Sequence, residues 1–240
     1  MKVTVINGNL RHGSTWHCMD MLLQELSRYG DVERTEFFLP KDMPHFCNGC
    51  FTCIYKGEEH CPHAGAVQPI AQAMLNADVV ILTSPVYAMD ISGQMKVLLD
   101  HLCYMWMSHR PNPAMFNKIG VTICTTAGAG LKHTEKTLRN SLQFWGAKRI
   151  YSFRNPVAAS KWSEVKLEKQ QRIRRDMAAM ADRIAKAVNG AERLSSPLFR
   201  SFFLWIMRGM MSKNTWNLHD RKHWEQQGWI KEATAQGGKA

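Results

Sequence analysis

Four cysteines crowd into one short stretch, Cys47-x2-Cys50-x2-Cys53-x7-Cys61-Pro62. Three thiolates spaced by two residues converge on one small volume, as a cubane iron–sulfur cluster requires, and a fourth cysteine followed by proline completes a ferredoxin-like run. The gap before Cys61 is longer than in ferredoxins, and other chemistries stay open on these residues. They could be packed or free thiols with no cluster, or a disulfide. Zinc prefers two separated pairs, so it fits four such closely spaced thiolates poorly. The histidines His12, His17, His60 and His63 have no spacing that resembles a ligand set and read as solvated or helix-surface side chains.

A second kind of chemistry is suggested by Asn7-Gly8-Asn9-Leu10-Arg11-His12-Gly13-Ser14-Thr15. Two glycines allow close backbone approach, and Ser14 and Thr15 bring hydroxyls to a helix start, where free N–H groups and the helix dipole favour an anion. Arg11 adds a charge-assisted bond. The loop suits a phosphate, yet it is neither the dinucleotide G-x-G-x-x-G nor a Gly-Lys-Ser/Thr loop. Its plain alternative is an ordinary capped turn. Further along, Ser84–Ser92 breaks a strand at Pro85 and offers the flat ring of Tyr87. Thr125-Thr126-Ala127-Gly128-Ala129-Gly130 is small enough for an aromatic cofactor to rest on backbone amides. Taken singly, both segments read equally well as packing.

The elements that must position these loops alternate along the chain. Lys2–Asn7 and Val32–Leu39 read as strands, and Thr15–Tyr29 between them as a helix with Met19, Leu22, Leu23 and Leu26 on one face. Ala77–Ser84 is a continuous apolar strand, the pattern of a sheet covered on both faces. Ser92 caps a helix whose stripe runs Met95, Leu98, Leu99, Leu102, Cys103 and Trp106. Ile119–Thr126 and Lys148–Phe153 are strands flanking a helix at Leu131–Trp145, and a long helix from about Ser163 to Val188 closes the body. The pattern predicts an α/β fold, a doubly wound five-stranded parallel sheet. Residues 1–190 form its domain. The stretch from Pro40 to about Gly65 is a cysteine-bearing insertion, and residues 191–240 are a basic, aromatic-rich C-terminal extension.

Charge separates these parts. The chain carries +11, yet residues 1–147 hold 12 Lys and Arg against 12 Asp and Glu, so residues 148–240 supply all of it with 19 against 8. A nucleic-acid binder would spread its basic charge differently, and none is expected as a partner. By its charge the extension could meet a partner subunit, an acidic membrane surface or nothing. The apolar run Phe202–Met207 is far too short to span a bilayer, and Met1-Lys2 runs straight into the strand-like Val3–Ile6 with no small-residue cleavage site, so no targeting segment is expected. Seven cysteines without a secreted framework point to the cytoplasm.

The three loops together resemble the NADPH-dependent FMN reductase branch of the flavodoxin superfamily, including the iron–sulfur flavoproteins. The resemblance runs from about Lys2 to Val188. It is sharpest in Gly8–Thr15, in Ala77-Asp78 through Ser84-Pro85-Val86-Tyr87, and in Gln94-Met95-Lys96 and Leu99-Asp100. It implies that FMN is held by Asn9, Arg11, Ser14 and Thr15 at its phosphate, by Pro85, Val86 and Tyr87 beside the ring, and by Thr126, Ala127, Gly128 and Gly130 at the ring's polar edge. Asn9-Leu10 stands where the family's G-S-P-R start has Ser-Pro, and the loop is one residue shorter. The resemblance also implies an NAD(P)H donor, a flavin, quinone or similar small acceptor, and a homodimer, which makes residues 191–240 a dimer arm, with a partner or membrane contact as the alternative. Iron–sulfur flavoproteins carry a four-cysteine motif at this same place, so Cys47, Cys50, Cys53 and Cys61 would hold a [4Fe-4S] cluster that trades single electrons with FMN and a ferredoxin-like protein. Because the hydride chemistry belongs to the flavin, no catalytic side chain is assigned.

Overall fold

The computed structural model describes residues 1–159, 161–190 and 197–232. Five strands, β1 (Lys2–Asn7), β2 (Glu33–Phe38), β3 (Val79–Pro85), β4 (Ile119–Thr126) and β5 (Arg149–Pro156), form one sheet in the order β2-β1-β3-β4-β5. Every neighbouring pair is parallel. The order reverses between β1 and β3, and the crevice beyond the carboxyl ends of the strands at such a reversal is where this architecture binds ligands.

Both faces of the sheet are covered, which explains the unbroken apolar run of β3. Val79 and Ile81 face α1 (Ser14–Leu26) and α6 (Leu167–Val188), where Met19, Leu22, Ile173, Met177 and Ile184 are buried. Val80 and Leu82 face the other layer and pack with Ile70, Met74, Leu98, Leu138 and Leu142. That layer holds α3 (Ala64–Asn76), α4 (Gly93–His101) and α5 (Leu131–Phe144). Alternate side chains of one strand therefore serve two cores, as the pleat requires.

The doubly wound reading of the sequence holds, with two local differences. α3 is not marked by the sequence pattern, because Pro69 sits inside it and Gly65 lies in its first turn. The helix expected to run through Trp106 stops at His101. There the chain tightens into a 3-10 turn, Cys103–Met105, that turns Tyr104 and Met105 inward. Ser92 caps α4 as expected, its Oγ accepting from the Met95 N–H at 3.4 Å.

The insertion contains a single short helix, α2 (Thr52–Tyr55), before a 3-10 turn at Glu58–His60. The C-terminal extension forms α7 (Leu198–Ser212) and α8 (Leu218–Gln226), which share a small core of Met207, Met211 and Trp224. The division expected at residue 190 falls beside residues 191–196, outside the described residues. α8 packs against α2, joined through the buried guanidinium of Arg110. Arg110 donates to the carbonyls of Ile54 and Cys53, to Glu58 at 2.9 Å, and to Asp220 on α8. Asp220 is fully buried and also takes a 2.8 Å bond from His109 Nδ1. Trp224 Nε1 donates to the His109 carbonyl at 2.6 Å. A buried ion pair of this kind demands that each remaining polar atom be satisfied, and here carbonyls and carboxylates surround the guanidinium. No described helix is long and apolar enough to cross a membrane.

Candidate functional site

At the strand reversal a crevice of about 260 Å³ opens between the loops that follow β1, β3 and β4. Its first wall is the β1–α1 loop. Gly8 is fixed there by necessity: a Cβ would sit 2.7 Å from Ser92 Oγ and 2.8 Å from the Thr83 carbonyl oxygen. Ser92 Oγ donates to the Gly8 carbonyl at 2.6 Å and the Gly8 N–H donates to the Thr83 carbonyl at 2.9 Å, so the N-terminus of α4 and the end of β3 hold this loop. Asn9 Oδ1 accepts the Arg11 N–H at 2.9 Å, an Asx turn that aims the segment. Asn9 Nδ2 donates to the Tyr87 hydroxyl across the crevice mouth.

Gly13 occupies the cap position of α1 and offers no side chain, so no side-chain cap covers the helix start. Ser14, Thr15 and Arg11 line the crevice beside it. Uncapped N–H groups, the positive end of a helix dipole and a guanidinium are the chemistry that attracts an anion. Thr15 Oγ1 lies 2.6 Å from Thr125 Oγ1 in a buried hydroxyl pair that ties this loop to the end of β4.

The second wall is Pro85, Val86 and Tyr87, and the third Thr125, Thr126 and Ala127. The Val86 N–H donates to the Thr125 carbonyl at 2.9 Å, which sets their spacing. Tyr87 and Asp90 bond each other through both main-chain groups, closing a turn whose central residues Ala88 and Met89 have φ of 46° and 71°. Only glycine or asparagine adopts that conformation readily, so the turn is strained. Thr137 Oγ1 on α5 donates to Asp90 Oδ1 at 3.1 Å and helps to hold it.

Nine of the eleven residues singled out in the sequence line this crevice. The remaining two lie behind its wall. The Gly128 N–H is engaged by Thr126 Oγ1 at 3.1 Å, and Gly130 caps α5 at φ 91°, where a Cβ would strike Val86. Asn7, Trp16 and Thr83 also line the crevice, as do Val157 and Ala159 after β5. Only the loops after the first, third and fourth strands were marked in the sequence, and nothing in the type of Val157 or Ala159 distinguishes them.

The cysteine-bearing insertion forms a second group. Cys47 and Cys50 are exposed, Cys53 and Cys61 half-buried, and all are free thiols. Gly49 at φ 67° and Phe51 at φ 56° make the turns between the first three. Burial pushes the Cys61 thiol up, and the neighbouring Cys53, Cys50 and Cys47 add to that push. Among the described residues no three of these four sulfurs lie within 4.8 Å of one another. A hydrogen bond from Thr52 lowers Cys50. Cys103, which opens the 3-10 turn after α4, pairs with Cys53: Cys53 donates to its sulfur, which raises Cys53 and lowers Cys103. The sequence pattern had placed Cys103 in a helix stripe. Four thiol donors on one loop match the donor chemistry of a [4Fe-4S] cluster.

His63 departs from the surface reading. It is half-buried, its Nδ1 lies 2.9 Å from His101 Nε2, and His45 stacks on its ring at 4.7 Å. Burial and those two rings hold His63 below the ordinary imidazole range. His12 stacks on Trp16 at 4.2 Å and His17 on Trp162 at 4.9 Å.

A family model described as NADPH-dependent FMN reductase matches residues 1–161. An iron–sulfur flavoprotein of Archaeoglobus fulgidus is 32% identical over 149 residues, 61% of this chain and 64% of that protein. Another, from Methanosarcina thermophila, is 26% identical over 145 residues, 60% of this chain and 72% of its own. The chain thus spans a little under two thirds of the first relative's length. Among solved structures, an FMN-dependent NADH-azoreductase from Bacillus anthracis in complex with FMN matches with a TM-score of 0.61 at 13% identity, over 77% of this chain and 100% of that one. An NADH:FMN oxidoreductase in apo form matches at 0.52 and 19% identity, over 83% and 92%. At those identities the two structures share the fold with this chain. The family match covers well over half the sequence and includes all three crevice loops, so the chain belongs to the NADPH-dependent FMN reductase family.

Proposed function

We propose that this chain is an FMN-dependent oxidoreductase that takes electrons from NADH or NADPH and passes them to a flavin, quinone or similar small acceptor. The crevice carries this reading: an uncapped helix start with Arg11 beside it, at the strand reversal, facing two loops of small and flat residues. Bound there, FMN would supply a hydride-accepting ring that no amino acid offers. Arg11, Ser14 and Thr15 would hold its phosphate, with Asn9 fixing the loop. Pro85, Val86 and Tyr87 would flank the ring, and Thr126 and Ala127 would meet its polar edge. Gly128 and Gly130 would act by shaping the turn behind them. The chain's own work is to bind, orient and exclude water, and no side chain need act as acid or base.

Titration with FMN, followed by quenching of flavin fluorescence, tests the site. Ser14→Glu sets a carboxylate against the phosphate and is expected to weaken FMN at least about tenfold, or ~1.4 kcal/mol. Anaerobic NADPH should then bleach the yellow complex. Absence of FMN binding, or a Ser14→Glu variant that binds as the parent does, would refute the reading.

A second reading rests on the thiols. Cys47, Cys50, Cys53 and Cys61 would hold a [4Fe-4S] cluster and the protein would trade single electrons with a ferredoxin-like partner. α4 supports it, because the helix starts at Ser92 against the crevice loop and ends at His101 beside Cys61. Nine residues at 1.5 Å each separate the two ends by roughly 14 Å. Anaerobically purified protein should be brown and hold about four irons per chain. Yellow, iron-free protein would remove this reading and leave the first intact. Pairing with a second copy belongs to either version. The apolar face that α7 leaves open with Phe202, Trp205 and Met210 suits it, and sedimentation of full-length protein against a chain ending at Asn189 would test it.

A further inference from the structure

Outside the crevice, one cluster of side chains has the chemistry of a metal site that the four-cysteine motif does not describe. A ligand atom from each of Cys61, His63 and His101 lies within 4.8 Å of the other two. The donors come from separate elements, Cys61 and His63 from the insertion and His101 from the end of α4. His101 is only 4% exposed, and its Nδ1 lies 2.8 Å from the Val97 carbonyl. A carbonyl can only accept, so Nδ1 carries the proton and the Nε2 lone pair points at His63. An imidazole pinned through its far nitrogen to a backbone carbonyl is the arrangement that orients metal-binding histidines.

We propose that Cys61, His63 and His101 bind one divalent ion of the zinc class. One thiolate and two imidazoles form a borderline donor set suited to that class. Bond lengths of about 2.0–2.1 Å to nitrogen and about 2.3 Å to sulfur put tetrahedral N···N separations near 3.3 Å and S···N near 3.6 Å. The 2.9 Å between the rings must open by a few tenths of an ångström, while the sulfur lies within 4.8 Å of both nitrogens. The protons balance. The Cys61 thiol loses one to solvent as the S–metal bond forms. His63, whose Nδ1 now donates to His101 Nε2, moves that proton to its own Nε2 and ligates through Nδ1. His101 ligates through Nε2 and keeps its bond to Val97. The site releases one proton and leaves a fourth position for water. Because Cys61 also belongs to the four-cysteine set, an ion held here withdraws that thiolate from any cluster.

Cobalt(II) is the probe, since its visible bands report tetrahedral thiolate and imidazole ligation. Full-length protein, chelator-treated and kept reduced, is titrated with cobalt. One equivalent should bind with sulfur-to-metal charge transfer, and zinc should displace it. His101→Ala and, separately, the more exposed His63→Asn should each weaken cobalt by more than about tenfold. Unchanged near-ultraviolet circular dichroism of either variant serves as the fold control. Cys47→Ser/Cys50→Ser should keep the bands, and bound cobalt should protect Cys61 from alkylation while Cys47 and Cys50 stay reactive. Cobalt that fails to bind at stoichiometric concentration would overturn the proposal and leave a hydrogen-bonded histidine pair. Bands that survive both histidine changes, or vanish in the double serine variant, would overturn it by assigning the ion to the four thiols.

Discussion

Replacing Asp220 with asparagine should loosen the cysteine-bearing loop from a distance. Asp220 is fully buried and Arg110 is 5% exposed, so their ion pair lies out of water. Removing one partner of a buried pair strands the other charge and typically costs about 3–5 kcal/mol. Arg110 keeps Glu58 and the carbonyls of Cys53 and Ile54, which puts the expected loss at the low end, about 3 kcal/mol. For a domain of this size each kcal/mol lowers Tm by about 2–4 °C, so the drop should be about 6–12 °C. Arg110→Met should cost more, because it also leaves the Cys53 and Ile54 carbonyls unsatisfied at about 1–3 kcal/mol each. Urea and thermal unfolding followed by tryptophan fluorescence give the stabilities, and thiol labelling rates at Cys53 report the loop. A loss under about 0.5 kcal/mol for Asp220→Asn would refute the reasoning, as would an Arg110→Met variant more stable than it.

Gly8→Ala forces a Cβ against the Thr83 carbonyl and Ser92, and it should cost about 1–3 kcal/mol and abolish FMN binding in the fluorescence titration. Thr125→Val removes one half of the buried hydroxyl pair and leaves Thr15 Oγ1 without it, so urea unfolding should show a loss of about 1–3 kcal/mol. Cys50, lowered by its Thr52 bond and exposed, should alkylate at lower pH than any buried thiol, read by peptide mass spectrometry across a pH series. Burial pushes Cys18 and Cys124 up to about 12, above the ordinary 9.0 that they regain on unfolding. A folded value above the unfolded one gives stability that is full below about 9 and is lost as pH rises towards 12, so the urea midpoint should fall across that window.

The sheet was legible because its physics is local. Val79–Leu82 is apolar without alternation, and only a strand covered on both faces permits that. The crevice loops were legible for a related reason: Gly13 ahead of Ser14 and Thr15 is a helix start lacking its usual side-chain cap. What escaped depends on contacts between distant positions. His63 meets His101 across 38 residues, and no spacing rule links them. Cys103 reads as one more apolar-face residue until the helix ends early and turns it toward Cys53. Asp220 reads as one acid in a basic tail, although it closes over Arg110 from 110 residues away. α3 was hidden by Pro69, which the tertiary packing of Val67, Ile70 and Met74 overrides.

The clasp between α8 and the insertion also sets an order of assembly. Synthesis delivers the four thiols first and Arg110 next, while Asp220 and Trp224 arrive only after the whole sheet has left the ribosome. Until then the segment around Cys53 has Arg110 and lacks the Asp220 carboxylate that pins it. A shortened product ending before α8 would keep all four sulfurs and lose the carboxylate that pairs with Arg110, leaving the segment around Cys53 less firmly held.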